Sequence, residues 1–174
     1  MAVRTTLTAI ALALMAGPAA AMSLSSTDFS DGAAIPVAQI YPRCGGQNVS
    51  PSLTWRGVPP GSKSLVLTMI DVSVQPSGWS HWIVVDLNPA TAALPHGLAT
   101  LPAGARAIAG NFGDAAYDGP CPPNGSGLHR YEFTLWAMPA AKTVIAPDAR
   151  AADVLATLAK TARAHATLAG TVTR

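Results

Sequence analysis

The sequence predicts a mostly-β domain, an antiparallel β-sandwich with a single C-terminal α-helix packed on it. Three observations carry that prediction. Proline and glycine gather in short clusters, Gly45-Gly46, Pro59-Pro60-Gly61, Pro76-Ser77-Gly78, Asn88-Pro89 and Gly119-Pro120, which mark turns between short elements. Between the clusters lie runs that are either continuously apolar or alternate apolar with polar residues. Only one stretch, close to the end, repeats apolar residues at helical spacing.

In chain order, Leu53-Thr54-Trp55 is a short strand. Ser64–Ile70 and His81–Leu87 are longer and almost continuously apolar, the pattern of strands covered on both faces or lying in a sandwich interior. Tyr131–Met138 alternates, with Glu132 and Thr134 between aromatic and aliphatic residues, because successive side chains of a half-buried strand point to opposite faces. Ala149–Ala169 is alanine-rich and places Val154, Leu155, Leu158 and Ala162 on one stripe, with Arg150, Lys160 and Arg163 outside it. Asp148, after Pro147, is the candidate N-cap and Gly170 the candidate stop, with a short final strand over Gly170–Arg174.

The first residues are a targeting pattern rather than part of the fold. Arg4 supplies one positive charge, Leu7–Met15 carries none, Gly17-Pro18 breaks the helix, and Ala19-Ala20-Ala21 offers small residues to a signal peptidase. The expectation is a signal peptide at 1–21 and one mature domain at 22–174. The apolar run is short of the ~20 residues that span a bilayer, and an uncleaved anchor is the competing reading. The remaining 153 residues suffice for one domain with a substantial core. They carry 10 basic against 9 acidic residues and no basic patch, which argues against nucleic acid as a partner. No second long apolar stretch follows, so no transmembrane segment is expected after cleavage. The mature protein is expected in the periplasm or secreted, as a monomer or homodimer. Export to an oxidising compartment favours a disulfide between its two cysteines, Cys44 and Cys121, over two buried thiols.

Charged residues make up only 11% of the chain, so polar residues that gather beside glycine and proline are informative. Asp71 ends one apolar strand, a turn follows around Pro76-Ser77-Gly78, and Trp79 and His81 open the next strand, which places all three near one end of a hairpin. Tyr117–Tyr131 is too rich in Gly and Pro for helix or strand and forms a rigid loop that delivers His129-Arg130-Tyr131 to the mouth of another strand. Two histidines, a carboxylate and a tyrosine beside a Pro-Pro wall form a small pocket that supplies hydrogen-bond donors and attracts an anion when a histidine is protonated. Read without that context, His81 and His129 are equally structural histidines bonded to backbone. Two His and one Asp can also bind zinc or iron, but no H-x-H or H-E-x-x-H spacing supports a metal site. There is no G-x-S-x-G elbow for a serine nucleophile. Trp55, Trp82 and Trp136 are expected in the core, and His96 and His165 on the surface.

At these residues the chain resembles the phosphatidylethanolamine-binding (Raf-kinase-inhibitor-like) family, in its bacterial branch. Asn48-Val49-Ser50-Pro51 with Leu53-Thr54-Trp55 resembles the family's N-x-S-P-x-L-x-W element. Gly119-Pro120-Cys121-Pro122-Pro123 with Gly127-Leu128-His129-Arg130-Tyr131-Glu132-Phe133 is similar to its G-P-C-P-P…G-x-H-R-Y-x-F signature, and His81-Trp82 to the pair that closes its first motif. The resemblance covers nearly the whole mature chain. It implies two antiparallel sheets with a small anion pocket at one end, lined by Asp71, Trp79, His81, Gly119, Pro122, Pro123, His129 and Tyr131. It also implies a phosphate or phospholipid headgroup as ligand, with no cofactor. Arg130 is expected to point away and tie loops together, and Asn48 to bond backbone within its own turn rather than to serve as a glycosylation acceptor. The family's D-P-D-x-P departs here to Asp71-Val72-Ser73-Val74-Gln75-Pro76, with Ser73 in place of the second acid, which predicts a less negative pocket and an altered loop.

The function that follows is non-enzymatic binding of a small anionic ligand in the periplasm. The alternative is an inhibitor or modulator of a protease or other protein partner, which an extended, exposed loop over 88–104 would favour. A hydrolase ranks last, because only the histidines of its machinery are present.

Overall fold

The computed structural model describes residues 21–146 and 149–174. The predicted signal peptide, all but Ala21, and the candidate N-cap Asp148 therefore lie outside the described residues. Eight strands, one α-helix and two short 3-10 turns, Val37–Gln39 and Pro42–Cys44, are described: β1 Ser23–Ser25, β2 Leu53–Arg56, β3 Ser64–Asp71, β4 Trp79–Leu87, β5 Ala93–Leu94, β6 Arg106–Ile108, β7 Leu128–Met138, α1 Ala151–Thr161 and β8 Ala164–Thr173. They form two sheets, β1-β2-β5 and β6-β4-β3-β7-β8, with every named strand pair antiparallel. The protein is mostly β with one C-terminal helix, as its turn clusters and apolar runs predict.

The continuous apolar runs have a direct cause. The large sheet is covered on both sides, so both faces of its central strands must be apolar. Leu65, Leu67 and Met69 of β3, Trp82 and Val84 of β4, and Tyr131, Phe133 and Leu135 of β7 pack towards the small sheet with Leu53 and Trp55. Val66, Ile83, Val85, Trp136 and Met138 pack on the opposite face against Val154 and Leu158 of α1. Trp55, Trp82 and Trp136 are all buried. Thr68 sits between these apolar residues and is bonded: the Trp136 Nε1–H donates to its hydroxyl at 3.0 Å.

The predicted helix over Ala149–Ala169 is half as long as expected. It ends at Thr161, Ala162 turns extended with φ −66° and ψ 145°, and from Ala164 the chain runs as a strand paired with β7 from Ala137↔Ala164 to Leu128↔Thr173. Alanine's helix propensity is a weak prior that ten residues of strand pairing override. Gly170 is not a helix stop. It lies inside β8, where a β-carbon would collide with Ile35 and press on Phe29 at 3.0 Å. The 88–104 segment is also not a free extended loop. Leu94 is buried, β5 pairs with β2, and Gly97 N–H and Leu98 N–H donate to the Ser50 carbonyl at 2.8 Å and to its hydroxyl at 2.9 Å.

Candidate functional site

The site begins with where β3 ends. Asp71 is the last residue of this strand, and its neighbours across the sheet are Trp79 on β4 and Tyr131 on β7. Side chains on one face of a strand recur every second residue, so His81 follows Trp79 on one flank and His129 precedes Tyr131 on the other. The sheet thus gathers five of the predicted residues at one end of its central strand.

Asp71 is buried and its carboxylate is shared. Oδ2 lies 2.6 Å from His129 Nδ1, and Oδ1 accepts the Ser73 N–H at 2.9 Å. The Ser73 hydroxyl in turn accepts the Arg130 N–H at 2.9 Å. The residue that departs from the family motif therefore laces the β3–β4 turn to β7 without adding charge. Arg130 does point away, as alternation requires, but its guanidinium pairs with Glu132 on the same strand at 3.0 Å instead of tying loops together.

His81 is held from the other side. Its Nδ1 lies 2.8 Å from the Asp118 carbonyl. A carbonyl only accepts, so Nδ1 carries the proton and Nε2 is the nitrogen left for a ligand. Burial lowers the His81 pKa, with the Asp118 and Gly119 backbone and the Asp71 charge opposing it in part. Tyr131 is fully buried, and among the described residues its hydroxyl meets no hydrogen-bond partner within bonding geometry. Burial, then the Asp71 carboxylate, pushes this phenol well above its ordinary range, so it is a donor at any physiological pH.

These groups lie in a pocket of about 340 Å³ lined by Asp71, Val74, Trp79, His81, Phe112, Cys121, Pro122, Pro123, His129 and Tyr131. The walls are mainly apolar, and no lysine or arginine is among the lining residues. The volume is at the small end for ligand sites. Trp79 and Phe112 stand edge to face at the mouth, ring centroids 5.9 Å apart, each about two-fifths exposed. The cavity also takes in Phe112, Val74 and Cys121, which the sequence does not single out as lining it. The aromatic in Gly110-Asn111-Phe112-Gly113 is the signal that could have found the first. Gly119 is the one predicted residue that does not line the pocket. Its absent β-carbon instead allows the loop to lie directly on the Gln39–Tyr41 backbone.

The wall is fastened to the N-terminal loop. Cys44 and Cys121 form a disulfide with Cα atoms 5.5 Å apart. Beside it, the Tyr41 N–H donates to the Pro120 carbonyl at 3.1 Å and the Tyr117 hydroxyl to the Gln39 carbonyl at 2.9 Å. Asn48 does not cap its own turn: its side chain reaches Tyr117 and Gly119, residues 69 and 71 positions away. Behind the pocket, Asp118 is buried next to Asp114. Burial first, and then Asp114, raises its pKa to about 7. Asp71, His81 and His129 do not make a metal cage. Among the described residues, no group of three or more His, Cys, Asp or Glu side chains is placed to hold an ion. Nor, among them, is any helix long and apolar enough to cross a membrane.

Comparison with known proteins agrees with this architecture. The sequence profile described as phosphatidylethanolamine-binding protein matches residues 25–173. The UPF0098 protein YbcL of Escherichia coli K12 is 36% identical over 139 residues, 75% of this chain and 76% of the relative. YbhB of the same organism is 41% identical over 124 residues, 67% of this chain and 78% of the relative. A Mycobacterium tuberculosis relative with the provisional name of a lipoprotein, LppC, is 36% identical over 150 residues, 86% of this chain and 71% of its own. The crystal structure of E. coli YbcL, titled a new member of the mammalian PEBP family, superposes with a TM-score of 0.79 at 32% identity, covering 87% of this chain and 98% of that one. The PEBP homologue CT736 of Chlamydia trachomatis superposes at 0.72 with 33% identity, covering 88% and 98%.

Proposed function

The chain belongs to the phosphatidylethanolamine-binding protein family, and from that premise we propose that it is a non-enzymatic, exported binding protein whose pocket holds a small phosphate-type anion. The observation that carries this reading is the convergence of His81, His129 and Tyr131 on one apolar-walled pocket. With no lysine or arginine in the lining, positive charge must come from the histidines. Protonated, His81 keeps its Nδ1–H bond to Asp118 and turns Nε2 from acceptor into donor. The low-polarity walls strengthen each charge-assisted hydrogen bond to an anion. Burial holds the His81 pKa below the ordinary imidazole range, binding an anion draws a proton onto the ring, and affinity rises as pH falls.

Binding rather than catalysis is supported by the wall chemistry: the pocket's one sulfur, Cys121, is bonded to Cys44 and is not a nucleophile. Export is supported by the Arg4, Leu7–Met15 and Ala19–Ala21 pattern, by the disulfide, and by the lipoprotein name of one relative. The inhibitor reading would need a protease-facing loop over 88–104; that segment is largely exposed but tied to β2 and Ser50.

Calorimetry with inorganic phosphate and with phosphoethanolamine tests the reading. His81→Ala or His129→Ala should weaken binding by about 1.5–3 kcal/mol, roughly ten- to hundredfold, the worth of one charge-assisted bond. Tighter binding of phosphoethanolamine than of phosphate assigns a headgroup, and equal binding a free anion. Unchanged affinity in both variants overturns the assignment.

A further inference from the structure

We infer that Asn48, outside the pocket, is a positioning residue that sets which nitrogen of His81 meets the ligand. Its side chain forms a bracket: Nδ2–H donates to the Tyr117 carbonyl at 3.0 Å, and Oδ1 accepts the Gly119 N–H at 2.7 Å. The residue between them is Asp118, and both of its main-chain groups grip His81. Its N–H donates to the His81 carbonyl at 3.1 Å, and its own carbonyl accepts from His81 Nδ1 at 2.8 Å. One amide thus does for this loop what a neighbouring strand does in a sheet, fixing the direction in which the Asp118 carbonyl points.

The chemistry explains the residue type. Bracketing a single residue needs a donor and an acceptor side by side on one planar head, which the carboxamides of Asn and Gln supply whatever the pH. The backbone at position 48 has φ 56°, the left-handed region, where Asn is among the best tolerated residues with a side chain. Leucine or threonine here meets neither condition. With the carbonyl fixed, the proton stays on Nδ1, so Nε2 faces the pocket as the acceptor that becomes the donor when the ring charges. If the bracket is lost, the carbonyl turns and the ring is released to the other tautomer. Nε2 then carries the proton and Nδ1 has no partner.

The test is nitrogen-detected NMR of the His81 ring in the full chain with its disulfide intact, beside phosphate calorimetry over pH 5–8. Asn48→Gly is the main variant, since glycine accepts the left-handed backbone without strain and removes the side chain alone. Wild type should show the Nδ1–H tautomer. The variant should show a substantial Nε2–H population, phosphate affinity lowered about tenfold, and a displaced pH profile, an effect of the size seen for outer partners of ligating histidines. Asn48→Asp keeps the acceptor for Gly119 and loses the donor to Tyr117, and should fall between the two. It decides the matter alone if the glycine variant does not fold. A wild-type ring state in a folded variant overturns the inference and leaves Asn48 a loop tie only. The affinity arm rests on the anion-binding reading, whereas the ring state is read without ligand, so failure of one is distinguishable from failure of the other.

Discussion

A carboxyl that keeps its proton to about pH 7 in the folded protein makes stability fall as the solution becomes more alkaline. Asp118 is such a group, raised by burial and by Asp114. Between about pH 4 and 7 the unfolded chain has released this proton and the folded chain has not, so each step up in pH favours unfolding, and the loss levels off above 7. Asp118→Asn keeps the shape of the neutral acid and removes the titration. Urea unfolding at pH 4 and at pH 8 should show little difference between wild type and variant at the lower value and a more stable variant at the higher one. Equal stabilities at both pH values would show that Asp118 ionises freely in the fold. At this scale the sequence was most informative about pocket chemistry. That Asp71, Trp79, His81, Pro122, Pro123, His129 and Tyr131 lie round one cavity was legible from the turn clusters they adjoin together with the family resemblance. What Asn48 and Gly119 do was not legible. Their partners lie on distant segments, and no local pattern encodes a contact between residues some seventy positions apart.

The C-terminal elements show how a strand hides in a helix-like sequence. Along β8, Ala166 and Leu168 are buried while His165 and Thr167 are exposed, a two-residue alternation that alanine marks weakly. Small residues are needed there, since Phe29 and Ile35 press on Gly170 from the β1 side. Gly170→Ala discriminates between helix stop and strand packing. At this contact the added methyl group should cost about 1–3 kcal/mol of stability, read as a lower urea midpoint with an unchanged slope. A variant as stable as wild type would mean that the Phe29–Ile35 packing is loose. The central strands were legible for the opposite reason: Leu, Val, Ile and aromatic residues on both faces leave no helical stripe to mistake.

Over the whole molecule, the pocket is a junction of two independently placed parts. The sheet supplies Asp71, His81, His129 and Tyr131, and the 110–123 loop supplies Phe112, Cys121, Pro122 and Pro123. The Cys44–Cys121 bond, closing a separation of 77 residues, fastens that loop to the N-terminal segment. The chain-entropy account gives such a closure about 4–5 kcal/mol, an upper figure for a native bond. Cys44→Ser/Cys121→Ser should therefore unfold at clearly lower urea and bind phosphate more weakly, because the Pro122–Pro123 wall loses its anchor. Loss of stability with affinity unchanged would separate the bond from the site. The central claim is that the histidines at the end of β3 receive an anion, and one titration tests it most directly. Inorganic phosphate, with sulfate as an anion that does not itself titrate in this range, is added to the full chain at pH 6 and pH 8 while the ring signals of His81 and His129 and the indole of Trp79 are followed. The account predicts saturable shifts of all three, with tighter binding at pH 6 for both anions. Rings that stay unmoved at both pH values, while the fold is intact, would contradict it.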